Sequence, residues 1–300
     1  MSGVIYLQQF RNRNLFKNPN FAVIQGTASG TLADSLALPT ASLGYLGETE
    51  WCVAASGGTP AYAFSAENER VTFTGAASTT AIYLAQRLES RDVTTLANKL
   101  ANITISAEIS NSLLTSVIWE VFRPTTSNDT HGTIATPTQT LIASGTFTVS
   151  STLTRYSATI TLPALAARGL EVRLRVGAQT SGTWVVARLQ LEEGSLATNF
   201  NCDDFATELI RCQRYYYSLP ATRSGYPSPN TGGYAATVNY PFKTTMFSLP
   251  AILPTYSSFS NVSTFGTPNV TSEGFAVQVV STASTNTIWS ISAACSAHIP

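Results

Sequence analysis

Side chains able to carry out chemistry are few in this sequence and do not converge. His131 and His298 stand alone, and Cys52, Cys202, Cys212 and Cys295 show neither the close Cys-x-x-Cys pairing nor the His spacing that a zinc site requires. The Gly-x-Ser-x-Gly nucleophile elbow, the His-Glu-x-x-His helix and the glycine-rich phosphate loops do not occur. Glycoside hydrolysis needs only two carboxylates, so Glu48 with Glu50, Glu192 with Glu193 and Asp203 with Asp204 must be weighed. Neighbours on a strand point to opposite faces, and Asp203 and Asp204 stand where a helix needs its N-cap. No catalytic residue, cofactor or Cys/His metal site is expected, and the cysteines read as buried thiols packing like small hydrophobes.

Aromatic rings offer a second chemistry. A sugar presents an apolar C–H face that stacks on Trp or Tyr, while Asn, Asp and Ser take its hydroxyls. Trp51, Trp119, Trp184, Tyr226, Tyr234, Tyr240 and Trp289 are the candidates. Trp119 and Trp184, each within an apolar strand, fit packing better. Tyr226 lies in Ser224-Gly225-Tyr226-Pro227-Ser228-Pro229-Asn230, a loop composition that leaves a ring exposed. Tyr226, Tyr234 and Trp289 are the expected carbohydrate-stacking residues.

Those rings must be held by β-structure. Alternation and turn punctuation predict strands over 21–25, 61–65, 71–74, 81–87, 103–109, 116–123, 140–149, 154–162, 170–176 and 184–191, with a short crossing helix over 93–100 and a long loop over 124–139. In Ile103-Thr104-Ile105-Ser106-Ala107-Glu108-Ile109 every apolar residue falls on one face, as in a half-buried antiparallel strand. Further strands are expected over 234–240, 252–256, 275–280 and 287–293, in a segment where Pro220, Pro227, Pro229, Pro241, Pro250 and Pro254 disfavour central positions.

Between the two β-rich parts runs LQLEEGSLATNFNCDDFATELIRCQRYYY, residues 189–217. Asp203 and Asp204 as caps, with Phe205, Leu209 and Cys212 on one face, predict a short helix over 203–211. A strand then opens at Tyr215-Tyr216-Tyr217, two of whose rings are expected to bury between the halves. The expected fold class is all-β: two β-sandwich, jelly-roll-like domains joined by a short helix. The arm covers 1–13, the first sandwich 14–200, the linker 201–212 and the second sandwich 213–300.

The joint also resembles something known. QLEEGSLATNF, an acidic segment and ELIRCQRYYY are similar to the junction in bacteriophage tail-fibre and minor structural proteins, between a carbohydrate-binding-module-like jelly roll and a distal β domain. NLFKNPNF, IYLAQRLESRDVTTLANKLANITISAEIS, RYSATITLP, FSLPAILPTYS and SEGFAVQV sit in the order that family would place them, so the resemblance covers nearly the whole chain. GETEW, which leaves only Trp51, and Asn199 depart from it. The resemblance implies a virion tail-fibre component that recognises a host-surface polysaccharide, commonly as a homotrimer. A head fibre or capsid decoration protein is the alternative in the same class, and a polysaccharide-processing enzyme the alternative outside it. It also implies a structural calcium ion at a sheet edge, for which Asn18, Asn20, Glu48 and Asp92 offer oxygens; the competing reading is turn residues satisfying their own backbone.

Composition agrees with that class. Charged residues make up 11% of the 300 and sum to a formal net charge of zero, against about 25% in a typical soluble domain. A phosphate-tracking surface needs clustered Lys and Arg, so nucleic acid is not an expected partner. Beyond Tyr217 only Arg223, Lys243 and Glu273 carry full charges, which points to surface shared between copies or facing a neutral partner. There is no apolar run of about 18 residues to suggest a membrane span, and the N-terminal residues lack a signal-peptide pattern. The expected location is the virion, after assembly in a bacterial cytoplasm, with Val4, Ile5, Tyr6, Leu7 and Phe10 of the arm attaching it to tail or baseplate proteins.

Overall fold

The computed structural model describes residues 14–32, 45, 49–226, 235–282 and 287–299, with the backbone alone for 222–226 and 258–259. Val4, Ile5, Tyr6, Leu7, Phe10 and Tyr234 lie outside the described residues, as does the side chain of Tyr226.

The N-terminal part is built from β1 (Ser29–Thr31), β2 (Cys52–Ser56), β3 (Ala61–Ser65), β4 (Arg70–Thr74), β5 (Ala81–Leu88), α1 (Ser90–Asn98), β6 (Asn102–Asn111), β7 (Ser116–Pro124), β8 (Gln139–Thr148), β9 (Thr154–Thr161), β10 (Leu170–Val176) and β11 (Thr183–Glu193). They form two sheets, β1-β3-β4-β11-β6-β9 and β2-β5-β10-β7-β8. Side chains alternate along each strand, so one face of each sheet supplies a shared core: Phe73, Ile103, Ile105, Trp184 and Val186 from the first, and Val53, Ile82, Leu84, Val117 and Leu174 from the second. Each such side chain stabilises the fold by about 1.5–3 kcal/mol when fully buried. Phe73 and Trp184, paired across β4 and β11, stack with centroids 4.9 Å apart. Gly145 stands opposite Trp119 in register, and a Cβ there would lie 2.6 Å from the indole, so the ring lies over a strand that must carry glycine at this point.

Three local expectations are corrected. Residues 21–25 form no strand: Phe21 adopts φ +56°, and the Asn18 side chain accepts from Val23 N–H and donates to the carbonyls of Val23 and Thr49, replacing a ladder with local bonds. Those bonds, and the Lys17–Asp92 ion pair at 3.1 Å, engage Asn18 and Asp92, while Glu48 of the expected calcium ligands lies outside the described residues. The α1 helix is a wall of the core and not only a crossing element, since Val93, Leu96 and Ala97 are buried in it. The polar face of β6 is covered too: Thr104 donates to the Gly194 carbonyl at 2.8 Å, and Ser106 accepts from Arg155 at 2.7 Å.

The joint is stitched to the first sandwich by its own polar residues. β11 bulges between Ala187 and Gln190, and the bulge exposes backbone that the segment from Asn14 uses: Leu189 N–H donates to the Pro19 carbonyl, and Asn14 bonds to both Leu189 and Leu191. Gln190 accepts from Asn201 N–H, and buried Glu192 accepts from Thr198, which folds QLEEGSLATN into a closed turn. Helix α2 (Phe205–Gln213) follows, with Asp204 as N-cap accepting from Ala206 and Thr207, while Asp203 pairs with Arg211 at 3.0 Å. Its buried face is Glu208 and Cys212, not Phe205. Glu208 accepts from Asn18 N–H at 2.6 Å, so a hydrogen bond turned the helix, and Phe205 is left 58% exposed.

The C-terminal part contains β12 (Tyr216–Tyr226), β13 (Ala235–Pro241), β14 (Ala251–Ser260), β15 (Val262–Phe265), β16 (Asn269–Val270), β17 (Gly274–Ser281) and β18 (Thr287–Ser296). Its sheets, β12-β18-β14 and β13-β17-β15 with β16 also on β17, enclose a second core of Tyr217, Tyr240, Met246, Phe275, Val277, Val279, Trp289 and Ile291. The prolines keep their rule: Pro220 lies in β12 and Pro254 in β14, both edge strands, and the central β18 has none. Tyr215, Tyr216 and Tyr217 are all buried, Tyr217 in the second core and Tyr215 and Tyr216 at the contact between the halves. Tyr215 donates to Glu89 at the head of α1, and Arg214 clamps the same carboxylate with two bonds of 2.7 and 3.0 Å.

Candidate functional site

The outer face of the five-stranded sheet carries the densest polar chemistry of the first sandwich. In β10 the sequence LEVRLRV alternates: Leu170, Val172, Leu174 and Val176 enter the core, so Glu171, Arg173 and Arg175 point outward. Register brings neighbours beside them in rows across the sheet. One row reads Ala54, Tyr83, Arg175, Ile118, Thr146; the next reads Cys52, Ala85, Arg173, Glu120, Ser144. A third places Arg87, Glu171, Phe122 and Leu141 side by side.

Arg173 organises this surface. Its guanidinium lies 4.5 Å from the Phe122 ring centroid and 5.9 Å from that of Tyr83, a cation held by ring faces. Glu171 binds it from one side, and Glu120 stands 3.8 Å away, itself 3.5 Å from Arg175. Glu171 also accepts from Arg87 at 2.8 Å and Gln139 at 2.7 Å. Burial pushes the Glu171 carboxyl up, but Arg87 and Arg173 outweigh it and hold the group well below the usual carboxylate range. His131, buried beside this cluster, is lowered to about 3 by burial and by the two arginines, with Glu171 opposing, and neither ring nitrogen has a partner. A Glu171 carboxyl held ionised and a His131 ring held neutral near neutral pH are poor proton shuttles, so the cluster holds geometry. Toward β8 the face opens: Ser144, Thr146 and Leu141 are exposed, and Tyr83, Ile118, Phe122 and Arg175 half-buried.

Of the residues expected to stack on sugar, Trp289 is a correction. It is fully buried in the second core, its indole N–H donating to the Tyr240 hydroxyl at 3.1 Å, so no ligand reaches it. Trp51 and Trp184 are also core residues. The paired carboxylates stay apart in role: Glu192 is buried under Thr198 while Glu193 is exposed. The sequence signal for the candidate face is the outward Glu-x-Arg-x-Arg of β10; its rings, Tyr83 and Phe122, come from other strands and are placed there only by register.

A cleft of about 850 Å³ lies elsewhere, between α1 and the joint, lined by Asn14, Arg91, Lys99, Glu193, Asp203 and Arg211 among others. Its lining includes no aromatic ring, and several of its charges are paired with one another, as Lys99 with Glu193 and Arg211 with Asp203.

The sequence matches no protein-family model and no curated protein. Solved structures are similar at low scores. A CBM4 structure has TM-score 0.37 and 13% identity, covering 57% of this chain and 100% of that one. TmCBM61 in complex with beta-1,4-galactotriose has TM-score 0.34 and 13% identity, covering 61% and 99%. The enzymatically active domain of bacteriophage CBA120 tailspike protein 4 has TM-score 0.33 and 12% identity, covering 53% of this chain and 21% of that one. At such scores the functional reading falls to the residues.

Proposed function

We propose that the protein is a non-enzymatic virion structural protein, a tail-fibre component that holds a host-surface glycan on the outer face of the five-stranded sheet. The observation that carries this reading is buried Arg173, fixed by Glu171, which holds the half-buried Phe122 and Tyr83 rings beside half-buried Arg175 and exposed Ser144 and Thr146: ring edges next to a guanidinium and hydroxyls suit a sugar, whose apolar faces and hydroxyls alternate. The resemblance of the joint to phage fibre junctions supports the virion setting, with the arm as attachment to the particle. Each stacked ring contributes about 0.5–1.5 kcal/mol by analogy with aromatic pairs. A single weak site is a poor adhesin, and a homotrimer would raise avidity without new contacts.

Replacing Phe122 and Tyr83 together with Ala is expected to weaken binding of host-surface polysaccharide at least tenfold by titration calorimetry, with the oligomer mass unchanged. Tyr226→Ala serves as the parallel distal variant; binding lost there and kept in the double variant would move the site to the C-terminal part. Shortened polysaccharide products on sizing would make the protein an enzyme. Light scattering is expected to give three times the 32.0 kDa chain mass; a monomer at all concentrations would remove the avidity argument.

A further inference from the structure

The candidate face carries more positive charge than it neutralises. Along its three rows stand Arg87, Arg173 and Arg175 against Glu120 and Glu171, three guanidiniums for two carboxylates. Two of the three arginines are fully engaged. Arg87 donates through Nε to Glu171 at 2.8 Å, through Nη1 to the carbonyl of Ile299 in the C-terminal part at 3.1 Å, and through Nη2 to the Gly132 carbonyl at 2.6 Å. Arg173 donates to Glu171 from Nε at 3.0 Å and from Nη2 at 2.5 Å. Their side chains are 1% and 9% exposed, whereas that of Arg175 is 34% exposed. The excess cation of the face therefore sits where solvent reaches it, on Arg175.

Arg175 is placed without being satisfied. Glu120 Oε2 stands 3.5 Å from its Nε and 3.8 Å from Arg173 Nη1, beyond the range of about 2.7–3.2 Å for an N–H···O hydrogen bond, and that buried oxygen has no hydrogen-bond partner. Among the described residues no hydrogen bond ends on the Arg175 guanidinium or on the side-chain hydroxyls of Tyr83, Ser144 and Thr146. Elsewhere in the first sandwich Arg188 closes on Glu69 at 2.6 Å and Arg155 on the Ser106 hydroxyl at 2.7 Å. Arginine is a fork of five N–H donors, and here the fork has no acceptor of its own. Register centres it in the open part of the face. Its row runs Tyr83, Arg175, Ile118, Thr146, three interstrand steps or about 14 Å of backbone, with Ser144 next to Thr146 on the same side of β8.

Given the glycan reading of this face, on which the assignment rests, we infer that the bound polysaccharide is acidic and that Arg175 takes the carboxylate of a uronic acid. Two parallel N–H groups of a guanidinium match the two oxygens of a carboxylate, and such a pair is stronger than hydrogen bonds between neutral groups. Tyr83 and Ile118, the cross-strand neighbours of Arg175, offer apolar contact to the C–H face of the same sugar, while Ser144 and Thr146 lie where its hydroxyls continue toward β8. The glutamates oppose an acidic chain only weakly, because Glu171 is enclosed by Arg87 and Arg173 and Glu120 lies between Arg173 and Arg175. A phosphodiester polymer carries the same charge, but between its sugars and away from the ring that Tyr83 and Ile118 would touch. The uronate puts charge and apolar face on one residue, as this row does.

Titration calorimetry on the full chain tests it with polygalacturonate, alginate and hyaluronan, each native and after reduction of its carboxyl groups to alcohols, beside a ribitol teichoic acid and neutral dextran. At least one native uronate polymer is expected to bind, and its reduced form to bind about tenfold or more weakly, the scale of a hydrogen bond to a charged group. Arg175→Gln is expected to bind the native polymer as weakly as the wild type binds the reduced one, and to lose nothing further on reduction. Wild-type affinity should fall as salt rises from about 0.1 to 1 M, and that of Arg175→Gln should change little. Equal binding of native and reduced polymers, full native affinity in Arg175→Gln, or a preference for dextran or teichoic acid would overturn the acidic assignment. If that binding is still lost when Phe122 and Tyr83 are replaced, the glycan site stands and only its acidic character falls; binding of no polymer removes both. If Arg175→Gln does not fold, the wild type alone decides through the native and reduced forms.

Discussion

Glu171→Leu is expected to destabilise the first sandwich by about 3–5 kcal/mol, the range for removing one member of a buried, hydrogen-bonded charge set. The carboxylate is 1% exposed and takes four bonds, from Arg87, Gln139 and two atoms of Arg173. Without it two guanidiniums stay buried on adjacent strands with no counter-charge but the more distant Glu120. Urea unfolding near neutral pH measures the loss, and a change below 1 kcal/mol would mean that water already reaches the cluster. The pH response has a definite sign. Arg87 and Arg173 depress the Glu171 carboxyl against its burial, so its contribution is fully present above the ordinary value of 4.5 and is lost as pH falls through the depressed value. The wild type should lose stability on acidification below about pH 4.5, and Glu171→Gln should lack that part of the acid slope. Phe122→Ala and Tyr83→Ala remove rings and leave the ion pairs, so a glycan defect there without the stability defect would separate binding from scaffolding.

How much of this was legible in the chain differs from element to element. Strands with clean alternation and flanking turn residues were readable nearly to the residue, as 61–65 and 170–176 show against Ala61–Ser65 and Leu170–Val176. Period-2 patterning reports a face turned to a core, and it fails where the backbone is held by something else. At 21–25 the apolar run is a turn closed by the Asn18 side chain, a bond between residues five apart that propensity cannot see. In α2 the apolar positions Phe205, Leu209 and Cys212 suggested a buried stripe, but Glu208 reaches Asn18 and turns the helix, which only tertiary contact reveals. The site was harder still. Tyr83, Phe122 and Arg173 come from three strands 39 and 51 residues apart along the chain, and only register places them in one cluster. Scarce charge points to the C-terminal part, whereas the structure gathers Tyr83 and Phe122 around Arg173 in the first sandwich.

Trp289→Ala is the second substitution with a large expected effect, about 3–5 kcal/mol for truncating a fully buried tryptophan. The indole lies in the C-terminal core with Tyr240, Phe275 and Val277, and the Tyr240 ring stacks on Phe275 with centroids 5.1 Å apart. Truncation leaves a cavity and removes the N–H that the Tyr240 hydroxyl accepts. Trp289→Phe keeps most of the volume and loses the same donor, so it should cost about 1 kcal/mol, near the net worth of one hydrogen bond. The two cores share no residue, Trp184 and Phe73 belonging to the first. Calorimetry on Trp289→Ala should therefore show the C-terminal transition shifted down and that of the first sandwich little changed, with polysaccharide affinity intact if the face on β5, β7 and β10 is the site. A single transition moving as a whole would mean that the contacts of Arg214, Tyr215 and Ile299 fuse the two sandwiches into one cooperative unit. A cost below 1 kcal/mol with binding abolished would instead assign Trp289 a ligand contact.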